Sequence, residues 1–370
     1  MRIILLICTL FFCIGSSFAK ETEKHVAILI SSYGEEGREN LSYDLEELAQ
    51  AYLVLHDNNI AIDILSPKGG AVLVKNNKDD LTYIKRFKHE TNALKQLSST
   101  ISPQNADFSN YDAIMIIGGN GAMFDLPKDK NTQILLTKFA NSEKPLAAVC
   151  HGPAALVNIK NTDGSYFVHG KKVNSFTNLE EHAFGGDVIN SLPFLLEDKL
   201  KQNGATFVSN APMLPFISVD NNLITAQNPG AVAKAAEALV IKLGLPLKPR
   251  ILFKDEASLL LIAQARNSGS YLIDIELSAN SEKYDLNYLA LYGFYSYNLA
   301  QTKQDKRLEL EIMQAIARHF SHPMYLSNLI KALWEQDLKQ EALKTFSNLK
   351  TNYPDHEAIN KLDLLLKTDS

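Results

Sequence analysis

The sequence predicts an α/β domain, built on a parallel sheet with helices on both faces, followed by an all-α domain. Short apolar segments alternate with helical patterns over residues 25–244, which is typical of strand–helix units in a parallel sheet. Pro246 and Pro249 then mark a linker. Beyond it, residues 255–367 carry apolar side chains at three- and four-residue spacing, which predicts helices alone.

The elements of the first domain can be placed from their apolar patterns. Mostly apolar runs of four to six residues predict strands that are buried on both faces. In chain order, the predicted strands are 26–30, 60–65, 113–117, 146–149, 173–176 and 223–226, and the predicted helices are 41–57, 88–98, 132–141, 192–203 and 230–243. Gly118-Gly119 and Cys150 both follow strands, so we expect them on the same edge of the sheet.

The second domain is expected to span residues 245–370. Examples of its helical segments are 259–265, 286–300, 308–320, 325–335 and 340–351, with a final helix after Pro354. Ala342, Phe346 and Pro354 have the small, aromatic and proline order of a tetratricopeptide-like helix pair. This indicates a repeat-like region that could bind a protein partner. The alternative is a helical cap on the first domain.

The N-terminus has the pattern of a signal peptide over residues 1–19. Arg2 precedes an apolar run over 3–14, and Ser17-Phe18-Ala19 is a small-x-small cleavage site. We therefore expect export, to the periplasm or outside the cell; an uncleaved anchor is the alternative. Without these residues the net charge moves from −5 to −6 because Arg2 is lost. This charge does not favour a nucleic-acid-binding surface.

Cys150 is the cysteine that remains after removal of that leader, and it lies at a predicted strand-to-helix turn. Ala148 and Gly152 flank it with small side chains, as in a nucleophile elbow, where the backbone turns sharply. Gly152-Pro153 is expected to open a helix whose N-terminus favours a thiolate at Cys150. The alternative is a buried free cysteine that acts as a small apolar side chain.

Four motifs give the sequence a family resemblance. They are Ser66-Pro67-Lys68-Gly69-Gly70, Gly118 to Pro127, Ala148 to Pro153 and Gln227-Asn228-Pro229, in that order. The sequence resembles the ThiJ/PfpI superfamily, and within it the stress-chaperone and glyoxalase III-like branch. The resemblance implies a flavodoxin-like, class I glutamine amidotransferase-like domain over residues 20–244. It also implies a homodimer, unless the added helical region replaces that interface.

The resemblance assigns roles around the cysteine. Cys150 would be the nucleophile and His151 its basic partner, although adjacent side chains at a sharp turn usually diverge. Glu181 would be the acid that orients His151, with Glu180 as the alternative. Glu47 falls where the superfamily keeps a glutamate beside the sulfur, and a thiolate close to that carboxyl group would raise its pKa. In the opposing interpretation these glutamates are exposed charges.

The Gly118-Gly119 turn resembles the oxyanion-hole loop of the family. The backbone N–H groups of Gly119 and His151 would stabilise a developing alkoxide. Many relatives have His at the position of Asn120. An amide can donate a hydrogen bond to substrate but cannot take up a proton near neutral pH. The substrate-binding role expected of Asn120 is therefore different from that of the family His.

The resulting functional hypothesis is a cysteine-dependent glyoxalase III-like lyase that acts on methylglyoxal or a similar small carbonyl, with no cofactor and no metal. The alternatives are a holdase chaperone, a redox sensor based on a low-pKa thiol, a peptidase and a glutamine amidotransferase. The last usually has a later His-x-Glu pair, which His182-Ala183-Phe184 does not supply.

Overall fold

The computed structural model describes residues 23–74 and 78–367. The strands are β1 His25–Leu29, β2 Ala61–Leu65, β3 Ala113–Ile116, β4 Leu146–Val149, β5 Lys172–Val173, β6 Thr206–Phe207, β7 Ile217–Asp220 and β8 Leu223–Ala226. The helices are α1 Leu45–Asp57, α2 Thr82–His89, α3 Thr91–Ser98, α4 Lys130–Ala140, α5 Asn178–Phe184, α6 Leu196–Gln202, α7 Val232–Lys242, α8 Lys254–Ser268, α9 Tyr271–Asn280, α10 Leu286–Leu299, α11 Lys303–Ala317, α12 Pro323–Glu335, α13 Lys339–Asn352 and α14 Ala358–Leu365.

Six strands form the main sheet, in the order β2-β1-β3-β4-β8-β7. The first five are parallel, and only β7 runs antiparallel, at the edge. Alternate residues of β1 enter different cores: Val26 and Ile28 pack with α1 and α7, whereas Ala27 and Leu29 pack with α4. The sheet therefore has helices on both faces, which confirms the predicted fold class.

Several predicted boundaries in this domain are wrong. The single helix expected over 88–98 is two helices, α2 and α3, separated at Glu90. The strand expected over 173–176 ends at Val173, because the N–H of Asn174 turns to donate to Thr225 Oγ1. The helix expected over 192–203 begins only at Leu196, since Pro193 keeps the residue before it extended.

Strand β6 was not expected, and neither were two further elements. Helix α5 follows a capping box at Thr177 and Glu180, and β7 pairs with β8 across a two-residue turn at Asn221 and Asn222. Both are short, so neither leaves a long periodic pattern. Helix α5 is nevertheless important, because it carries the acidic residues of the candidate site.

The described residues from Lys254 onwards form the helices α8 to α14 around a separate core, as predicted for the C-terminal region. Polar contacts tie this region to the first domain. Gln50 Nε2 donates to Asp255 Oδ2 at 2.9 Å, and Arg250 bridges Glu237 and Glu256. The predicted signal peptide, residues 1–19, lies outside the described residues. Within those residues, every helix is too short or too polar to cross a membrane.

Candidate active site

Cys150 lies in a sharp turn directly after β4. Its φ is +55°, a left-handed conformation that costs a residue with a side chain of order 1–3 kcal/mol. Two backbone hydrogen bonds hold the turn: Cys150 N donates to Ala226 O at 2.8 Å, and Phe176 N donates to Cys150 O at 3.0 Å. Gly152 is needed because a Cβ there would lie 2.6 Å from Ile116 O. The turn places the sulfur at the carboxyl end of the sheet.

The helix expected after Cys150 is not an α-helix. Gly152–Leu156 forms a five-residue 3-10 helix, which is too short to build up a substantial dipole. Burial raises the pKa of the Cys150 thiol well above its ordinary value, and the neighbouring Glu47 carboxylate raises it further. The structure therefore lacks, at this turn, the α-helix N-terminus that was expected to favour a thiolate, and the raised pKa of Cys150 favours the neutral thiol.

His151 contacts both the thiol and an acid. Cys150 Sγ lies 3.6 Å from His151 Nδ1, and His151 Nε2 lies 2.7 Å from Glu181 Oε2. The expected divergence of adjacent side chains is thus wrong here. An Nε2–H that donates to Glu181 leaves the Nδ1 lone pair directed at the sulfur. The ring of Phe176 packs on the imidazole, with centroids 4.8 Å apart.

The two adjacent glutamates of α5 have different contacts. Glu181 faces His151, whereas Glu180 completes the Thr177 capping box and accepts from Met213 N and Asn228 Nδ2. Both side chains are buried, so the interpretation of them as solvated charges is wrong. Asn228 belongs to one of the motifs quoted above, and its contact indicates that this motif anchors α5 to the domain.

Glu47 is buried on the other side of the thiol, with 1% of its surface exposed. Its Oε2 accepts from Gly118 N at 2.8 Å. Burial raises the pKa of Glu47 well above its ordinary value, and the nearby Asp44 carboxylate adds to this effect. A carboxyl group with a raised pKa can accept a proton as the carboxylate and donate one as the acid.

The Gly118-Gly119 loop lies against the thiol. A Cβ on Gly118 would be 2.8 Å from Cys150 Cβ and from His151 N. Gly119 has a φ of +90°, and a Cβ there would lie 2.4 Å from Asp44 N. Within the described part of the chain, the N–H groups of Gly119 and His151 donate to no acceptor, so both are free to bind a substrate oxygen.

Asn120 starts the 3-10 helix Asn120–Met123 that follows this loop. Its Nδ2 donates to Asn40 O at 3.3 Å, and the residue lines the same cavity as Cys150. The amide therefore lies at the cavity wall, where it can meet a substrate, in agreement with the expected position.

The cavity over the thiol has a volume of about 280 Å³. Of its described lining residues, Lys78 is the one Lys or Arg, whereas the acidic ones are Glu39, Asp44, Glu46, Glu47 and Glu181. Such a lining disfavours anionic ligands. Over residues 23–74 and 78–367, no three His, Cys, Asp or Glu side chains are grouped in a way that could hold a metal ion.

Sequence reasoning missed three residues of this site. Asp44 caps α1 by accepting from Glu47 N at 3.0 Å, and its Asp-x-x-Glu spacing is a helix-start signal that could have found it. Phe176 and Phe184 form apolar walls. Neither aromatic residue has a pattern that separates it from an ordinary core residue.

Comparison with known proteins agrees with these features. Residues 42–242 match the DJ-1/PfpI family. The glutathione-independent glyoxalase hsp3102 of Schizosaccharomyces pombe is 34% identical over 139 residues, which are 35% of this chain and 57% of that protein. Its hsp3101 counterpart from the same organism is 30% identical over 214 residues, 54% of this chain and 87% of the relative.

A solved structure shows the same fold. The Francisella tularensis Rapid Encystment Protein 24 KDa (REP24) is 31% identical, covers 60% of this chain and 99% of its own, and superimposes with a TM-score of 0.55. The helical region from Lys254 onwards lies outside the family match, which ends at residue 242. Since the match covers more than half of the 370 residues, the chain belongs to the DJ-1/PfpI family.

Proposed function

We propose that this protein is a cofactor-independent glyoxalase that converts methylglyoxal, or a similar small carbonyl compound, to a hydroxy acid. The observation that carries the proposal is the buried contact chain from Cys150 through His151 to Glu181, with Glu47 on the other side of the thiol. The glyoxalase names of two relatives support it.

In the first step, the Cys150 sulfur adds to the aldehyde carbon. The S–H proton moves to His151 Nδ1 as the S–C bond forms, and Glu181 stabilises the resulting imidazolium. The carbonyl oxygen becomes an alkoxide that the N–H groups of Gly119 and His151 bind. A proton then returns to this oxygen, which gives a hemithioacetal.

In the second step, a base removes the proton from the carbon bonded to sulfur, and an enediol forms. Glu47 or His151 supplies this base, because both lie beside the sulfur. Return of a proton to the adjacent carbon, with loss of the proton from the hydroxyl group on the carbon bonded to sulfur, gives a thioester of the hydroxy acid with Cys150. No electron acceptor is needed, since one carbon is oxidised as its neighbour is reduced.

In the third step, water attacks the thioester carbonyl. The C–S bond breaks, Cys150 regains a proton, and the hydroxy acid leaves. For methylglyoxal the product is lactate, and the sum is the addition of one water molecule. We also propose that the lactate formed is the D enantiomer and that the enzyme is a lyase.

The cavity fits this substrate class. Its volume of about 280 Å³ is small compared with sites for drug-sized ligands, and a three-carbon dicarbonyl requires little space. Its acidic lining favours neutral carbonyl compounds over carboxylates and phosphate esters. The raised pKa of the thiol argues against the redox-sensor alternative, which depends on a ready thiolate.

Turnover by the purified protein tests the proposal. Methylglyoxal consumption and lactate formation would be measured for the wild type and for Cys150→Ala, without glutathione or added metal. We expect lactate only with the wild type. If the two proteins consume methylglyoxal at the same rate, the proposal is wrong, and a holdase activity that survives Cys150→Ala would favour the chaperone alternative.

We also propose export directed by residues 1–19. The support is the sequence pattern of Arg2, the apolar run and Ser17-Phe18-Ala19. Determination of the N-terminus of the protein isolated from its own cells tests this, with Lys20 expected as the first residue. A retained Met1 would contradict cleavage.

A further inference from the structure

Helix α10 of the C-terminal region contacts two separate walls of the thiol cavity. Its residues Tyr288 and Tyr295 are seven positions apart, which places them on one face of the helix, about 10 Å apart along its axis. Tyr288 reaches Glu46 on α1, and Tyr295 reaches Phe184 on α5. Glu46 and Phe184 both line the cavity that contains Cys150.

The first contact fixes a carboxylate at the cavity wall. Tyr288 Oη donates to Glu46 Oε2 at 2.7 Å, and Lys78 Nζ lies 2.6 Å from Glu46 Oε1. Lys78 Nζ also donates to Tyr288 Oη at 3.3 Å, and Tyr83 Oη approaches the same carboxylate at 3.2 Å. Glu46 is therefore held by two groups of the first domain and by one hydroxyl group that the helical region supplies.

The second contact fixes an aromatic ring. Phe184 and Tyr295 pack edge to face, with centroids 4.9 Å apart and an interplanar angle of 71°, a favoured geometry for an aromatic pair. Phe184 is the last residue of α5, and 38% of its surface is exposed. Without Tyr295, more of this ring would be free to move away from the cavity.

The two contacts join different elements to one helix. Helix α1 carries Glu47, and α5 carries Glu181, so α10 spans the two elements that bring carboxyl groups to Cys150. The family match ends at residue 242, so α10 lies outside it.

We infer that Tyr288 and Tyr295 are positioning residues that hold two sides of the cavity mouth and thereby limit the size of the molecules that reach Cys150. The helical region thus takes part in substrate selection and favours small carbonyl compounds over bulky ones. This inference uses one element of the proposed function, which is that the Cys150 sulfur is the reacting atom.

Alkylation of the full chain tests this without requiring turnover. The rates at which iodoacetamide and the bulkier N-phenylmaleimide modify the Cys150 peptide would be measured by mass spectrometry for Tyr288→Phe, Tyr295→Leu and the double variant. We expect the bulky-to-small rate ratio to rise about threefold or more, as the loss of a hydrogen bond to a charged group shifts equilibria by at least that factor.

Two variants in the same region serve as matched controls. Tyr284→Phe removes a hydroxyl that donates to Glu276 at 2.8 Å, and Tyr271→Leu removes a ring that is 56% exposed. Neither residue lines the thiol cavity. We expect both controls to keep the wild-type ratio.

An unchanged ratio in the double variant would overturn the inference. So would an equal rise of both rates, since general loosening of the fold does not discriminate by size, and so would a thiol that resists both reagents in every variant. With substrates, KM for phenylglyoxal should fall in the variants relative to KM for methylglyoxal. A shifted alkylation ratio in a protein that turns over neither dicarbonyl would reject the proposed function and leave this inference standing.

Discussion

His151 Nε2 lies 2.7 Å from Glu181 Oε2, and this contact joins two side chains that are both at least 95% buried. It fixes the ring so that Nδ1 faces the Cys150 sulfur. Glu180, the preceding residue, instead binds Thr177, Met213 and Asn228. The two neighbouring carboxylates therefore have separable roles, one toward the imidazole and one toward the fold.

Glu181→Gln is expected to lower kcat/KM for methylglyoxal by about 10²-fold, because a neutral amide no longer stabilises the imidazolium that forms on proton transfer. The matched variant is Glu180→Gln, which replaces one of two buried acceptor oxygens by an NH2 group that faces other donors and should lower the thermal midpoint more than it lowers activity. Steady-state rates well below both midpoints, together with thermal scans, check this. Equal losses of activity in the two variants would contradict the assignment of Glu181.

Glu47→Gln is expected to move the reactivity of Cys150 to lower pH. The Glu47 carboxylate raises the pKa of the thiol, so removal of its charge stabilises the thiolate and lowers that pKa. The pH dependence of iodoacetamide alkylation measures the shift. Glu46→Gln is the control. The pH midpoint of Cys150 alkylation in this variant should stay near that of the wild type. A midpoint that rises in Glu47→Gln would count against the described electrostatics.

The same Glu47→Gln variant is expected to lower kcat by about 10²-fold, because an amide cannot transfer a proton between the two substrate carbons. Alkylation and turnover should thus respond in opposite directions, with a more reactive sulfur and a slower enzyme. If this variant turns over at the rate of the wild type, then His151, and not Glu47, is the base of the second step.

The Asp255→Asn variant is expected to become more stable than the wild type as the pH rises. Burial raises the pKa of Asp255 from 3.8 to about 6, so its stabilising contribution is complete below pH 3.8 and is lost as the pH rises through 6. The difference in the free energy of unfolding between the variant and the wild type should reach about 3 kcal/mol and stay constant at higher pH. Gln50 and Tyr83 both donate to Oδ2, and an asparagine Oδ1 can accept these bonds.

Urea unfolding at several pH values measures this difference in the free energy of unfolding. Asp355→Asn, which removes an exposed carboxylate and not a buried one, is the control and should change the free energy of unfolding less than Asp255→Asn does at pH 8. A difference for Asp255→Asn that does not change with pH would show that Asp255 ionises normally in the folded protein.

Asn120→His tests the departure from the family pattern. An imidazole at the cavity wall can exchange a proton near its ordinary pKa of about 6.5, whereas the amide cannot. We expect a kcat several-fold above that of the wild type and a new pH-dependent limb in that range, while Asn120→Ala should mainly raise KM. A kcat for Asn120→His below that of Asn120→Ala would contradict this role.

Much of this site could be predicted from the sequence because its residues lie in short motifs at strand ends. Parallel strands bring their carboxyl ends together, so Gly118-Gly119 and Cys150 had to share one edge of the sheet. The left-handed turn at Cys150 likewise follows from its small neighbours. These features depend on local chain geometry, which a sequence pattern records well.

The protonation states and the contacts from the helical region could not be predicted in this way. The pKa of Cys150 depends on burial and on Glu47, which is distant in sequence. Tyr288 lies 242 positions from Glu46, and its place on α10 resembles that of an ordinary helical tyrosine. Such long-range contacts are fixed by packing between domains and have no signature in a single sequence.

The central claim is that the Cys150 sulfur bonds to the substrate carbon during turnover. Mass spectrometry of the acid-quenched reaction with methylglyoxal tests it most directly. We predict that the Cys150 peptide of Glu47→Gln gains the mass of one methylglyoxal, because addition proceeds in that variant while the proton transfer that follows is slow, and that Cys150→Ala shows no such gain at this site. Lactate formation by the wild type with no adduct on Cys150 in either the wild type or Glu47→Gln would contradict the account.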